Sequence, residues 1–478
     1  MRTDTIAAIA TAVSDSGIGI IRISGENAIA VADSIYRSKN PNKRLTQVPS
    51  HTIHYGFIYD TVEDTEEIID EVMVAVMKAP NTYTREDTVE IDCHGGILVM
   101  NKILETVLCH GCRLAEPGEF TKRAFLNGRI DLSKAEAVMD VIHSKNEFAL
   151  KSSVNQLKGA VSDKVRALRD EILYEIAFIE SALDDPEHIS LDGYQEKLEE
   201  KTKKLSQELK KLIDSADNGK MLKDGIQTVI VGKPNAGKSS LLNILVGEDK
   251  AIVTSVAGTT RDVLEESIKL HGVGLNIIDT AGIRDTQDEV EKIGVDKARS
   301  YAQKADLIIY VVDATRPLDE NDEEIIDLIR EKKVIVLLNK TDLAEQMQLN
   351  EEKIRQKFKM VYEDNHTANN HGSLQIIRTS TKENTGIDEF EHTIEDMFFN
   401  GKIAVNDEIY ITNQRHKEAL VEAYDSMQMV LQSLADQMPE DFYSIDLMSA
   451  YASLGRIIGE EVGDDLVNEI FSKFCMGK

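Results

Sequence analysis

The sequence predicts a multidomain α/β-plus-α protein in which an α/β region interrupts a helical one. Three observations carry that expectation. Residues 1–120 mix strand-like alternation with helical spacing. Residues 121–221 and 401–478 repeat apolar residues every three or four positions, with few glycines. Between them, residues 222–400 alternate short apolar runs with helical stretches, the texture of a sheet covered by helices. Such an insertion is tolerated where the ends of the insert lie close together.

Taken in order, Thr52–Tyr59 and Glu71–Met77 read as strands and Ile97–Leu108 as a helix, so residues 1–120 form a small α+β domain. Residues 133–182 and 194–214 read as long helices, and helical spacing returns over 414–434 and from 443 onward. In the inserted region, residues 226–231 are a short apolar run read as a buried strand, and 275–279, 334–338 and 375–379 are also expected to be strands.

The bulk numbers bound the function. A chain of 478 residues has room for about three domains. With 42% hydrophobic and 29% charged residues it has an ordinary globular composition. It holds no apolar run of about 18 residues, and its start lacks a basic region followed by an apolar one, so a cytoplasmic location away from membranes is expected. The net charge of −29 opposes non-specific contact with nucleic acid. Residues 121–220, however, carry 17 Lys plus Arg against 19 Asp plus Glu, so a local basic face there is compatible with the count. Four cysteines, Cys93, Cys109, Cys112 and Cys475, are too few for a disulfide framework. Cys109 and Cys112 have C-x-x-C spacing with no second pair to complete a zinc site.

The chemistry lies in the inserted region. After the run at 226–231 comes Gly232-Lys233-Pro234-Asn235-Ala236-Gly237-Lys238-Ser239, then Ser240 and an apolar helix. This is a phosphate-binding loop in its proper strand–loop–helix setting: glycines let backbone N–H groups converge on phosphate, Lys238 reaches the β and γ phosphates, and the Ser239 hydroxyl ligates magnesium. Asp279-Thr280-Ala281-Gly282 follows the next strand, where a carboxylate faces the metal indirectly and a glycine senses the γ-phosphate. Asn339-Lys340-Thr341-Asp342 follows another. Asp342 there can accept both guanine N–H groups, and a site built for such bonds rejects an analogue lacking them by roughly 10⁴-fold. Ser380-Thr381-Lys382 occupies the place of a base-contacting loop. Four motifs in this order predict a Ras-like G domain that binds and hydrolyses GTP. The stretch Thr254-Ser255-Val256-Ala257-Gly258-Thr259-Thr260 reads as the switch segment, with Thr260 as second magnesium ligand.

Hydrolysis needs a group to orient the attacking water. Gly282 is followed by Ile283, which cannot hydrogen-bond, so another group must position the water; the charged segment Arg284–Glu291 offers candidates, though a solvated charged loop is the plainer reading of most of them. No internal arginine finger is evident, and such a charge is worth about 10³–10⁵ in rate. The side-chain oxygen of Asn235 could instead ligate a potassium ion in that place.

The motifs above, together with Ile21-Arg22-Ile23-Ser24-Gly25, Cys93-His94-Gly95-Gly96, residues 117–128 and Phe474-Cys475-Met476-Gly477-Lys478, resemble the MnmE (TrmE) family of tRNA-modification GTPases along the whole chain. That resemblance implies an N-terminal tetrahydrofolate-binding-like domain that also joins a homodimer. It implies a flavin-dependent partner (MnmG, or GidA) in a heterotetramer or larger, and action on carbon 5 of the wobble uridine of certain tRNAs. The cofactors implied are magnesium, potassium and a 5-formyl or methylene tetrahydrofolate. Carried onto this sequence, folate contacts fall on Arg22, Glu90, Arg129 and Lys478; the potassium shell on Asn235, Thr254, Val256 and Thr259; and the water-orienting role on Glu291, accompanied by Arg284. Cys475 is a candidate nucleophile, or else a packing thiol.

Two readings from other classes remain. A regulatory GTPase of ribosome assembly calls for an appended basic, aromatic RNA-binding module, yet aromatics are 5% and Trp is absent. A membrane-recruited GTPase calls for a lipidation signal or basic amphipathic helix, and neither is evident.

Overall fold

The structure is a computed structural model. It describes residues 4–62, 65–185, 187, 188, 190, 193–247, 265–270, 273–278, 301–329, 332–363, 374–399, 409–460, 462–475 and 477. The chain divides into two compact units: residues 1–142, 154–206 and 419–478 form one, and residues 143–153 and 207–418 the other.

In the first unit, strands β1 (Ile6–Ile9), β2 (Ser16–Ser24), β3 (Tyr36–Arg37), β4 (Thr52–Val62), β5 (Thr65–Met77), β6 (Thr88–Gly95) and β7 (Arg113–Leu114) form one sheet in the order β3-β4-β5-β6-β2-β1-β7. All pairings are antiparallel except β1 with β7. Period-two alternation puts Ile58, Val72, Val74, Val76, Val89 and Ile91 into a core shared with the helices Ala28–Ile35 and Ile97–Cys109. Ile53, Tyr55 and Met73 are exposed. The expected strands and helix of residues 1–120 are therefore present, with β1, β2 and β6 added to them.

The region 133–182 is not one continuous helix but three, Leu132–His143, Glu147–Lys158 and Ala160–Asp184. Gly159, at φ 115°, occupies the left-handed conformation between the last two, which a β-carbon disfavours. The helix Glu440–Ile458 runs antiparallel to Ala160–Asp184. Ser444 donates to Glu180 at 2.6 Å, while farther along Arg169 lies 3.9 Å over the Tyr451 ring and pairs with Glu460.

A partly buried ionic network also joins the helix Glu119–Leu126 to Asp4, just before β1. Arg113 donates to Glu119 at 2.6 and 2.9 Å and to Asp4 at 2.7 Å; Arg123 donates to Glu119 and Asp4 at 3.0 Å and to Glu86 at 3.1 Å. Burial raises the Glu119 carboxyl, but the two guanidiniums and the Glu116 N–H outweigh it and hold the group at about 2.

In the second unit, β8 (Ile226–Val231), β9 (Glu265–Leu270), β10 (Val273–Ile278), β11 (Leu307–Asp313), β12 (Lys333–Asn339) and β13 (Gln375–Arg378) form a sheet ordered β13-β12-β11-β8-β10-β9. It is parallel except for the hairpin-like pair β9–β10. Both faces are covered, which explains why the central strands β11 and β12 read as nearly continuous apolar runs. Ile226, Ile230, Leu275, Ile309 and Leu337 meet the helices Lys238–Val246 and Ile387–Phe399; Val229, Ile308, Tyr310, Val336 and Leu338 meet Glu320–Ile329 and Glu351–Glu363. The segments entering and leaving this sheet lie side by side: a β-carbon on Gly219 would stand 2.3 Å from the Ile411 carbonyl oxygen, and Ile411 N–H donates to Ser215 Oγ at 3.3 Å. No described helix is long and apolar enough to cross a membrane.

Candidate functional site: a nucleotide site at the strand ends

The parallel strands β8, β11, β12 and β13 point their C-terminal ends at one edge, where such sheets place their ligands. β8 ends at Val231, and residues 232–237 turn into the helix Lys238–Val246. The turn demands glycine at two places. Gly232 (φ 147°) would drive a β-carbon to 2.3 Å from the Val311 carbonyl, and Gly237 (φ 106°) to 2.1 Å from Asn339 Nδ2. Asn235 is also left-handed, at φ 63°, a conformation that Asn tolerates better than most residues. Asn235, Ser239 and Ser240 are exposed, Gly237 and Lys238 are half-buried, and Ala236 is buried. Lys238 Nζ donates to the carbonyls of Gly232 at 2.7 Å and Lys233 at 2.8 Å.

The second and third loops are tied to the first by one side chain. Asn339, fully buried at the end of β12, donates from Nδ2 to the Ala236 carbonyl at 2.8 Å and accepts from the Thr381 N–H at 3.1 Å. Asp342 accepts from Ser380 Oγ at 2.7 Å, which orients its carboxylate. Thr341 donates through N–H and Oγ1 to the Thr379 carbonyl at 3.2 and 2.9 Å. Lys340, at φ 67°, donates from Nζ to Asp313 Oδ2 at 2.6 Å; burial raises the Asp313 carboxyl, yet this bond and those from Thr315 leave it below its ordinary range. Lys382 is exposed.

The expected site residues Asn235, Ala236, Gly237, Lys238, Ser239, Ser240, Asn339, Lys340, Asp342, Ser380, Thr381 and Lys382 thus gather along one sheet edge. Thr254, Ser255, Val256, Ala257, Gly258, Thr259, Thr260, Asp279, Thr280, Ala281, Gly282, Arg284, Glu291 and Lys478 lie outside the described residues. Sequence reasoning missed Asp313, whose signal is its place one residue past an all-apolar strand run. It also missed Lys233, which pairs with Asp319 at 2.7 Å and Asp322 at 2.5 Å.

In the first unit, Arg22 on β2 faces Glu90 on β6 across the ladder, and Nε donates to Glu90 at 2.7 Å. Arg22 also donates from Nη1 to the Gly477 carbonyl at 2.9 Å. Arg129 instead stacks 4.6 Å over the Tyr83 ring and donates to the Tyr83 carbonyl at 3.2 Å. Cys475 is exposed, and its carbonyl accepts from Gly118 N–H at 3.3 Å.

Comparison with known proteins agrees with this layout. The model of the GTP-binding protein TrmE N-terminus matches residues 5–129, and that of the MnmE helical domain matches residues 132–475. Curated relatives named tRNA modification GTPase MnmE align over essentially full length. The protein of Lachnoclostridium phytofermentans is 58% identical, covering 100% of both chains. That of Clostridioides difficile is 49% identical over 99% of each, and that of Staphylococcus epidermidis 45% identical over 100% of each. Among solved structures, a point variant of Aquifex aeolicus Era bound to GDP·AlF4⁻ is 28% identical over 43% of this chain and 67% of its own, at a TM-score of 0.28, too low to carry weight. A phosphate loop tied by one buried asparagine to two base-side loops, on a chain matched from end to end, leaves one assignment: the chain belongs to the MnmE (TrmE) family of tRNA modification GTPases.

Proposed function

We propose that the chain is a potassium-activated GTPase. With a flavin-dependent partner it installs an aminomethyl or carboxymethylaminomethyl group on carbon 5 of the wobble uridine of certain tRNAs, drawing the carbon from a tetrahydrofolate. Family membership carries the coarser statement, that the chain is a GTP-hydrolysing enzyme of tRNA modification. The observation that best supports guanine binding is the Asn339 tie, which brings Asp342 and the 380–382 loop to the phosphate loop.

In this reading the backbone N–H groups of residues 235–240 cradle the phosphates. Lys238 exchanges the carbonyls of Gly232 and Lys233 for the β and γ phosphates. Asp342, oriented by Ser380, accepts the two guanine N–H groups. Magnesium, when bound, neutralises charge building on the phosphates. The exposed Ser239 hydroxyl in the first helical turn is a hard oxygen donor that suits it, with Thr260 as the second ligand. The exposed Asn235 oxygen suits potassium, with Thr254, Val256 and Thr259 completing the shell. Glu291, with Arg284, orients the water that attacks the γ-phosphorus, giving GDP and phosphate; Asp279 faces the magnesium indirectly, and Gly282 senses the γ-phosphate. Domain limits at 1–120, 121–221, 222–400 and 401–478 are part of the same reading.

The folate lies beside Arg22, Glu90, Arg129 and Lys478, where the Glu90 carboxylate meets pterin N–H groups and the cations meet the glutamate tail. Cys475, in the adjoining tail, is exposed to that chemistry. The exposed Ile53, Tyr55 and Met73 support homodimerisation through the N-terminal domain. The flavin-dependent partner holds most of the tRNA, since a chain of net charge −29 repels it, and the complex works in the cytoplasm away from membranes.

The test is GTP turnover at saturating nucleotide in potassium and in sodium chloride of equal ionic strength. A potassium-specific gain that disappears in Asn235→Ala supports the reading; equal rates in the two salts remove the cation from it.

A further inference from the structure

Lys233 is the second residue of the phosphate loop and no phosphate role falls to it, yet its side chain is firmly anchored. Its Nζ lies 2.5 Å from Asp322 Oδ2 and 2.7 Å from Asp319 Oδ2. The Asp322 side chain is 3% exposed, so its charge is compensated by partners rather than by water. Those partners are fixed in turn. Tyr310, fully buried in β11, donates its hydroxyl to Asp322 Oδ1 at 2.7 Å, and the Asp319 N–H donates to Asp322 Oδ2 at 2.9 Å. Asp319 accepts from the Asn321 N–H at 3.0 Å. The carboxylates therefore sit at the start of the helix Glu320–Ile329, Asp319 just before it and Asp322 in its first turn, and Tyr310 ties Asp322 to the strand β11.

On its other side Lys233 touches Lys238, the loop's phosphate-binding lysine. Its carbonyl accepts from Lys238 Nζ at 2.8 Å and from the Ala236 N–H at 3.3 Å. Gly232, just before it, lies close against the Val311 backbone of the same strand β11. A side chain held at one end by a buried carboxylate thus sets the position of a carbonyl that carries Lys238 before nucleotide arrives.

We infer that Lys233, clamped by Asp322 and Asp319, is a positioning residue for phosphate binding: it holds the loop backbone in the pitch at which its N–H groups and Lys238 meet the nucleotide. The inference rests on the nucleotide-site reading above. Losing the clamp loosens the loop before binding, so the binding-competent loop is a smaller fraction of the protein and affinity falls by that fraction. The chemical step, which begins from the bound state, is little changed.

The full-length chain is compared with Lys233→Met, Lys233→Arg, Asp322→Asn and the Lys233→Met/Asp322→Asn double variant. Readouts are the Kd of a fluorescent GDP, the KM and kcat for GTP, and thermal unfolding without nucleotide. Lys233→Met is expected to raise Kd and KM about tenfold with kcat within about twofold. Lys233→Arg, which keeps the charge and the donors, is expected to stay within about threefold of wild type. The double variant is expected to be no worse than the worse single, because both remove one contact. Unchanged Kd in Lys233→Met overturns the clamp, as do fully multiplicative effects in the double variant. Equal loss in the Met and Arg variants, tracking a fall in unfolding temperature, assigns the pair to stability alone and overturns it too. Failure of the wild-type chain to bind GDP would sink the nucleotide reading instead, a result separate from any ranking of the variants.

Discussion

Removing the Asn339 side chain tests whether one amide holds the three nucleotide loops together. Asn339→Ala deletes the donor to the Ala236 carbonyl (2.8 Å) and the acceptor for the Thr381 N–H (3.1 Å), at a position that is 0% exposed. A buried backbone group left without its partner costs about 1–3 kcal/mol, and partial access of water to the loops brings the pair to about 2–4 kcal/mol. For a unit of this size each kcal/mol lowers Tm by about 2–4 °C, so a fall of roughly 4–16 °C follows. Asn339→Asp keeps the acceptor toward Thr381 but turns an anionic oxygen on the Ala236 carbonyl, so it is expected to be less stable than the alanine variant. Calorimetry without nucleotide resolves the transition of the affected unit, and a fluorescent GDP measures affinity, expected to drop at least about tenfold, or 1.4 kcal/mol. An aspartate variant as stable as wild type would refute the assigned amide orientation. An alanine variant with wild-type Tm and affinity would refute the tie itself.

Other outcomes follow from the same geometry. Asp342→Asn retains an oxygen for Ser380 but loses the charged acceptor; two charge-assisted bonds at about 1.5–3 kcal/mol each make GDP bind roughly 10²–10⁴-fold more weakly with little change in Tm, which titration with GDP and xanthosine diphosphate checks. Gly237→Ala, strained at φ 106° and crowding Asn339 Nδ2, is expected to weaken GDP binding by about tenfold or more. Glu119, held at about 2 against an ordinary 4.5, contributes stability that is present above pH 4.5 and lost as the pH falls toward 2, on the order of 3 kcal/mol. Glu119→Gln should therefore unfold earlier than wild type at pH 7, with the gap narrowing in acid; a gap that ignores pH would contradict the ionic account.

The sequence made the nucleotide edge legible because its constraints are local. A phosphate loop needs glycine where a β-carbon collides, and β8 and β12 are legible as largely apolar runs, whereas β11, the more continuous run at Leu307–Asp313, is not among the strands expected from the sequence. Asn339 was readable as a motif member, but not as the tie to Ala236, since that bond spans 103 positions of chain. The clamp on Lys233 was hidden for the same reason: a lysine in a loop and aspartates at the start of a helix carry no local sign of pairing, and only β11, bringing Tyr310 to Asp322, reveals it. Glu119 and Arg123 carried no sequence signal of their burial, being charged side chains that fold to less than a tenth exposed. The unbroken helical spacing over 133–182 concealed two breaks because amphipathic texture continues across them; Gly159 was the one local sign.

The way the chain's tail meets its head carries a consequence for biosynthesis. Gly477 packs so tightly against β1 that a β-carbon would stand 2.4 Å from the Ile9 oxygen, and its carbonyl receives Arg22 from β2. Gly118 likewise receives Phe471 and Phe474. These partners leave the ribosome hundreds of residues after the strands they complete, while the nucleotide-binding unit ends at Glu418. Domains fold as they emerge. The unit in the middle of the sequence can therefore reach its native state before the sheet made earlier receives residues 471–477, whose Gly477 carbonyl adds to the Glu90 partner that Arg22 already has.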